Sequence, residues 1–513
     1  MDQNVLSILI FLPVVAALGL MLMPNGSEKG IKGFAMVAAL INAALALSLL
    51  GTFDPAKPGY QFEVNAPWLP NAGISYHLGI DGISLVLVVL TAVLTPVALL
   101  ASWNLIKDRV RGYNAWMLML SAGMIGAVVS LDMFLFYVFF ELMLIPAFFL
   151  IGLWGGEGRV KATIKFVVYT LVGSLFLFVA ILYLAVQHQA ATGTWSFQLA
   201  DLMATPLAGP AMVWAFLAFA FAFAIKSGLF PFHTWAPDTY VAAPAPVTFL
   251  VSGIMGKIGV YAFIRFAMPL FPEAAKMAQP YLMGLAVIGL IYAAWVALAQ
   301  TDIKRMLAYS SVSHMAVILL GVFALDQHAW TGAVFMFMAH ALATGGLFLM
   351  VGMLAERKGT QIADFGGIAK AMPWMTTLFI LVAMASVGLP GLNGFIGEFM
   401  ILLGSYTSHN VLGAVATTSV IWGACYMLWT VSRTFFGEEK PASKPLADLS
   451  IREALVILPI ALVIVYTGFV PQPVLSRIDT SVQAVLGPVN AAVKAAAAEP
   501  AAATEGDHHA GGH

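Results

Sequence analysis

Inside a long apolar run the chain reads Lys226-Ser227-Gly228-Leu229-Phe230-Pro231-Phe232-His233. Proline has no N–H to give the carbonyl of Ser227, so a helix carrying this stretch breaks directly after its lysine. An interrupted apolar helix with a charge beside the break fits a membrane protein, because non-helical backbone at membrane depth survives only where protein or water lines it.

The rest of the chain agrees. Of 513 residues, 61% are hydrophobic and 10% charged, and the mean hydropathy is +0.91. A soluble globular chain does not have this composition. A helix needs roughly 20 apolar residues to cross the hydrocarbon, and about fourteen such runs are separated by short polar or Gly/Pro-rich segments. The expected fold is an all-α polytopic bundle of about 14 transmembrane helices. The net charge of -1, with no basic stripe, points away from nucleic acid. The first run, from Val5 to Met23, has Asp2 and no Lys or Arg before it and no small-residue cleavage pattern after it, which predicts a permanent helix and not a signal peptide.

Every second connection is basic. Lys29 and Lys32, Lys107 to Arg111, Arg159 to Lys165, Lys304 and Arg305, Arg357 to Lys370, and Arg433 to Arg452 alternate with connections nearly free of Lys and Arg; Lys57, Arg265 and Lys276 are the exceptions. The positive-inside rule then places both termini outside the cytoplasm, which requires an even number of spans.

Four ionisable residues sit deep inside apolar runs: Glu141, Lys226, Lys257 and Glu398. Each costs about 2.5 to 3.5 kcal/mol on insertion scales, so such side chains face protein, water or one another and mark a path for protons or ions. Glu141 has no residue of opposite sign on its own helix, so its partner must come from another. Lys257 lies in Ser252-Gly253-Ile254-Met255-Gly256-Lys257-Ile258-Gly259, where small residues allow close helix contact. A second break, Ser386-Val387-Gly388-Leu389-Pro390-Gly391, precedes Glu398. Ordinary kinks at Pro231 and Pro390 would account for the prolines alone, but not for a charge beside each. The breaks fall in the seventh and twelfth runs, which point oppositely, the pattern of an inverted-repeat transporter. The expected division is 1–111 for three helices and an outer loop, 112–268 and 281–436 for two inverted five-helix repeats, 452–471 for the last span, and 472–513 for a tail.

His314 and His340 lie within the membrane runs, where they bond across helices, relay protons or, less simply, ligate a haem; His233, after the first break, is a further relay candidate. Gly256-Lys257 imitates a phosphate-binding loop without its first glycine or its Ser/Thr, and Gly155, Gly156 and Gly158 lack dinucleotide spacing. The single cysteine, Cys425, excludes a disulfide framework and supplies no iron–sulfur cluster. The Ala-rich tail from about Val489, ending in His508, His509 and His513, reads as a solvated, disordered extension.

Glu141, the stretch from Lys226 to Asp238, Lys257, Leu389-Pro390-Gly391 and Gly397-Glu398-Phe399 together resemble the antiporter-like membrane subunits of respiratory complex I, over about residues 75 to 440. Glu398 fits the branch called chain M or subunit 4, which has glutamate where sister chains L and N have lysine. Mrp-type sodium/proton antiporter subunits share the same core. The resemblance implies a bacterial inner-membrane, proton-translocating subunit of NADH:quinone oxidoreductase, with Glu141 holding Lys226 charged, Lys257 passing protons along the membrane, His314 and His340 bridging, and Glu398 as the terminal carrier. At about 4 Å the Glu141–Lys226 attraction is worth roughly 4 kcal/mol in an effective dielectric of about 20. No cofactor is implied in this chain; NADH, FMN, iron–sulfur clusters and quinone belong to partner subunits, and chains L and N and lipid are the expected neighbours.

Overall fold

The structure, a computed structural model, describes residues 4–24, 27–205, 207–440 and 446–506. Among these, thirteen helices are long and apolar enough to cross a membrane, from Val5–Leu22 to Ile451–Phe469. The predicted twelfth span is divided into Pro373–Val387 and Asn393–Ser408 and brings the set to fourteen. His508, His509 and His513 lie outside the described residues.

The bundle has a distinct centre. The apolar windows of Ala245–Leu270 and Gln327–Arg357 are 100% buried and that of Ile303–Phe323 is 94% buried, whereas those of Arg159–Thr192 and Ile451–Phe469 are only 39% buried. Lys257, His340 and His314 each ride on one of those three central helices, which answers how the chain tolerates them: they face protein and not lipid. The Ala245–Leu270 span is itself irregular. Two π-helical turns, Val251–Met255 and Phe263–Ala267, flank the α-helical segment Gly256–Ala262 that carries Lys257.

Both predicted breaks are present and are capped alike. The Gly209–Ser227 helix ends on Gly228 at φ +73°, and the Pro373–Val387 helix ends on Gly388 at φ +81°, left-handed conformations that glycine adopts without a Cβ penalty. In each, the glycine N–H bonds three residues back (Ile225, Ala385) and the next leucine N–H bonds five back (Ala224, Met384). The indole of Trp235 also donates to the Ile225 carbonyl, at 2.8 Å, a second donor for backbone at the break. The chain then resumes as Trp235–Ala242.

The helical fold carries one small sheet among the described residues: Gln61–Leu69 pairs antiparallel with Ile74–Ile80. Asp132 ties this hairpin to the bundle. One carboxylate oxygen accepts the Ser75 N–H at 3.0 Å, and the other caps the Met133–Leu142 helix through the N–H groups of Phe134 and Leu135. Burial pushes this carboxyl above the ordinary carboxylate range despite those three donors.

The tail departs from expectation. Gln472–Gly506 is an α-helix, and it packs across the Gly82–Ser102, Gln327–Arg357 and Pro272–Leu298 helices, so the tail assigned from 472 is docked up to Val489, whereas Asn490 to Ala495 are not buried. Ile478, Val482, Leu486 and Val489 are buried at helical spacing, so the helix has an apolar face that its alanine content conceals. Ser481 Oγ accepts the Gly82 N–H at 2.7 Å, and Asp479 accepts the Thr331 hydroxyl at 2.8 Å.

Candidate functional site

Lys257, buried at the centre of the bundle, donates to the Ser252 carbonyl and to His340 Nδ1, both at 2.6 Å. The Ser252 carbonyl lies in the π turn before it, so the irregular backbone supplies one of the lysine's acceptors. Ser252 Oγ lies 3.0 Å from Ser311 Oγ, which joins this span to Ile303–Phe323.

The His340 ring is 5.7 Å from that of His314, centre to centre. His340 Nε2 and Thr344 Oγ1 are buried without a protein partner. Both residues line a small cavity of about 10 Å³ shared with His314 and Ser386. That is room for about one water molecule. Beyond it, His314 Nδ1 lies 3.0 Å from Glu398 Oε1. His314 Nε2 is 3.3 Å from both Ser386 Oγ and Tyr426 OH, and Tyr426 OH is 2.8 Å from Ser310 Oγ. Glu398 sits against the second break: a Cβ added at Gly388 would fall 2.6 Å from Glu398 Oε2. The glycine that ends the half-helix therefore also makes space for the carboxylate.

Three expected residues, Lys257, His340 and His314, thus join Glu398 in one buried line. Such a line can exchange protons: lysine gives and accepts a proton within reach of physiological pH when buried, imidazole does so at either nitrogen, and a carboxylate terminates the series.

Lys226 and Glu141 form a separate group. They interact electrostatically, but not as the contact ion pair expected from the sequence. Glu141 is only half-buried, whereas the Lys226 ammonium lies 4.8 Å from the centre of the Phe140 ring. The ring face of the preceding residue, and not the carboxylate, meets the cation. The tie to Lys257 is through Gly259: a Cβ there would stand 2.9 Å from Ser227 N, 3.0 Å from Phe223 O and 3.1 Å from Lys226 Cβ. His233 packs on Phe230 and Tyr292, its Nδ1 buried without a partner. Among the described residues no hydrogen bond links it to the line from Lys257 to Glu398.

Sequence reasoning missed Tyr426, Ser310 and Ser311, whose hydroxyls give no signal apart from their neighbours. It also misplaced Arg265. That residue is not a loop charge on the wrong side; it is buried in the Ala245–Leu270 span and paired with Asp81 at 2.5 Å. Asp81 caps the Gly82–Ser102 helix with its other oxygen. At the first break, Asp238 is held by Lys165 at 2.8 Å and Arg305 at 3.1 Å, and Lys165 also donates to the Thr234 carbonyl. No three His, Cys, Asp or Glu side chains group as a metal site among the described residues.

A polytopic helical bundle with broken helices and a buried Lys–His–His–Glu line defines a membrane protein of the ion- or proton-translocating class. The sequence matches the family described as NADH:quinone oxidoreductase/Mrp antiporter, TM, over residues 130–422, and NADH-ubiquinone oxidoreductase chain 4, amino terminus, over 62–129. The chain belongs to this family. It is 39% identical to NADH-quinone oxidoreductase subunit M of Rhodobacter capsulatus, covering 94% of this chain and 96% of that one. To the Escherichia coli K12 protein of the same name it is 41% identical, over 83% of this chain and 85% of that one. Among solved structures it is similar to a chain of respiratory complex I from Thermus thermophilus, with TM-score 0.84, 35% identity, and coverage of 94% and 99%. A chain of the Mrp complex from Dietzia shares the fold at TM-score 0.82 and 20% identity.

Proposed function

We propose that this chain is the subunit M, or chain 4, component of NADH:quinone oxidoreductase, and that it moves protons across the membrane without redox chemistry of its own. The observation that carries the residue assignment is the buried line from Lys257 through His340 and His314 to Glu398. In this reading Lys257 and His340 hold a proton between two basic nitrogens. The proton crosses to His314 through water in the small cavity, and Glu398 delivers it toward the outer face. Glu141 and Lys226 gate the line from its Lys257 end, acting through space and through the Gly259 contact; a change in their separation alters how easily Lys226 gives up its proton.

The remaining assignments follow from the same reading. The membrane is the bacterial inner membrane, both termini face outward, and the breaks at Gly228 and Gly388 belong to two inverted repeats over 112–268 and 281–436. NADH, FMN, iron–sulfur clusters and quinone reside in other subunits, and the sister chains L and N are the neighbours. Identities of 39% and 41% with chains named NADH-quinone oxidoreductase subunit M, and of 35% with one chain of complex I, against 20% with the Mrp chain, favour this reading over a sodium/proton antiporter subunit. Gentle extraction of tagged chain from native membranes, followed by native electrophoresis with an in-gel stain for NADH oxidation, tests it. Co-migration with a large NADH-oxidising assembly supports the reading; a smaller inactive assembly with sodium-dependent proton exchange would replace it with the antiporter.

A further inference from the structure

We propose that Tyr426 is a positioning residue for proton passage: its hydroxyl, backed by Ser310, keeps the His314 ring aimed at Glu398 in both of the ring's protonation states. The inference rests on the relay reading above and assigns a role to a helix that reading does not use.

Tyr426 belongs to the Asn410–Phe435 span, whose apolar window is only 28% buried, yet the residue itself is 2% exposed. Its hydroxyl reaches inward to His314 Nε2 at 3.3 Å and Ser310 Oγ at 2.8 Å. The groups facing His314 are Glu398 at Nδ1, Tyr426 and Ser386 at Nε2, and His340 across the cavity with Lys257 behind it. With Nδ1–H donating to the Glu398 carboxylate, neutral His314 presents a lone pair at Nε2 and requires a donor. Protonated His314 presents N–H at the same atom and requires an acceptor. A hydroxyl meets both demands by rotating its hydrogen. Ser310 takes the complementary role each time: it accepts when Tyr426 turns its hydrogen away from the ring and donates when Tyr426 turns it toward the ring. The ring therefore gains and loses a proton without flipping and without leaving Glu398. Ser386 alone is a poorer support, since it sits two residues before the Gly388 break.

The test uses the whole assembled complex in native membrane vesicles, with Tyr426→Phe, Ser310→Ala and His314→Ala compared for NADH-driven proton pumping across the range in which histidine titrates. Loss of one neutral hydrogen bond corresponds to about a two- to tenfold effect. Tyr426→Phe is expected to lower pumping by that factor per assembled complex and to displace its pH profile, with a smaller displacement in the same direction for Ser310→Ala. A structural role alone leaves the profile in place. Parental pumping with an unmoved profile in assembled Tyr426→Phe overturns the proposal. Should that variant not assemble, an unmoved profile in Ser310→Ala, which keeps the aromatic ring, overturns it equally. Failure of the relay reading itself is distinguishable: there His314→Ala pumps like the parent, whereas a failure of this proposal alone leaves His314→Ala defective and Tyr426→Phe silent.

Discussion

Lys257 Nζ lies 2.6 Å from His340 Nδ1, so two deeply buried bases share a short hydrogen bond, and among the described residues no carboxylate pairs with either. A lasting positive charge there has backbone carbonyls such as that of Ser252, and no carboxylate among the described residues, to stabilise it, whereas a proton that passes on leaves two neutral bases that the apolar surroundings accept.

The first prediction separates charge from transferable proton. Lys257→Met is expected to reduce NADH-driven proton pumping at least about tenfold in assembled complexes. Lys257→Arg keeps a cation but is expected to fail nearly as badly, because guanidinium does not release its proton. Pumping by inverted vesicles, normalised to complex quantified on native gels, checks both. An arginine variant that pumps normally would reduce the role of Lys257 to fixed charge.

Gly259 carries the second. Any Cβ at this position meets the backbone of Ser227 and Phe223 and the stem of Lys226, where overpacking costs about 1 to 3 kcal/mol. Gly259→Ala is expected to displace the Lys226 helix and lower pumping in complexes that still assemble, and Gly259→Leu to lower assembly as well. Gly284, which has nothing within 4 Å, is the control. Equal behaviour of Gly259→Ala and Gly284→Ala would show that the contact does not couple the two groups.

How much of this was readable beforehand follows from the kind of signal each feature leaves. Hydrophobic runs and Gly/Pro interruptions are local, and both broken helices were legible together with Lys226, Lys257 and Glu398, because a charge in an apolar run is conspicuous in one dimension. The Glu141–Lys226 geometry was not, since it depends on rotamers: the Phe140 ring, and not the Glu141 carboxylate, meets the lysine's ammonium. Tyr426 and Ser310 stayed hidden because hydroxyls near a histidine occur everywhere in sequence and matter only in space. The final helix was misread for a different reason. The alanines after Val489 suggested an extension and drew the whole segment from 472 with them, while the spacing of Ile478, Val482, Leu486 and Val489 was already amphipathic.

A third prediction concerns the buried pair Arg265–Asp81, whose side chains are 2% and 3% exposed. Removing one partner leaves a buried charge, a loss of about 3 to 5 kcal/mol, whereas removing both is far cheaper. Arg265→Met is expected to destabilise the assembled chain strongly in thermal retention assays. Asp81→Asn combined with Arg265→Met should recover much of the loss, since asparagine retains an oxygen for the N–H groups of Ile83 and Ser84. A double variant as unstable as Arg265→Met would mean that packing around Tyr60 and Tyr261, and not charge, sets the cost.

The last prediction tests whether the final helix holds the bundle together. Ile478 and Val482 are fully buried, and Ser481 receives the Gly82 N–H at the first turn of a membrane helix. Burying each large apolar side chain contributes about 1.5 to 3 kcal/mol, so Val482→Asp loses at least that much and adds an unpaired carboxylate beneath the helix. Thermal retention of the assembled complex is expected to fall clearly in Val482→Asp. It should change little in Val482→Ile, a small change of shape at the same apolar position. A chain ending at Pro471 should match the aspartate variant, because both lose the same docking surface. If that shortened chain assembles and survives heating as the parent does, the helix is a passenger on the bundle, and the contacts at Ser481 and Asp479 contribute nothing measurable to its stability.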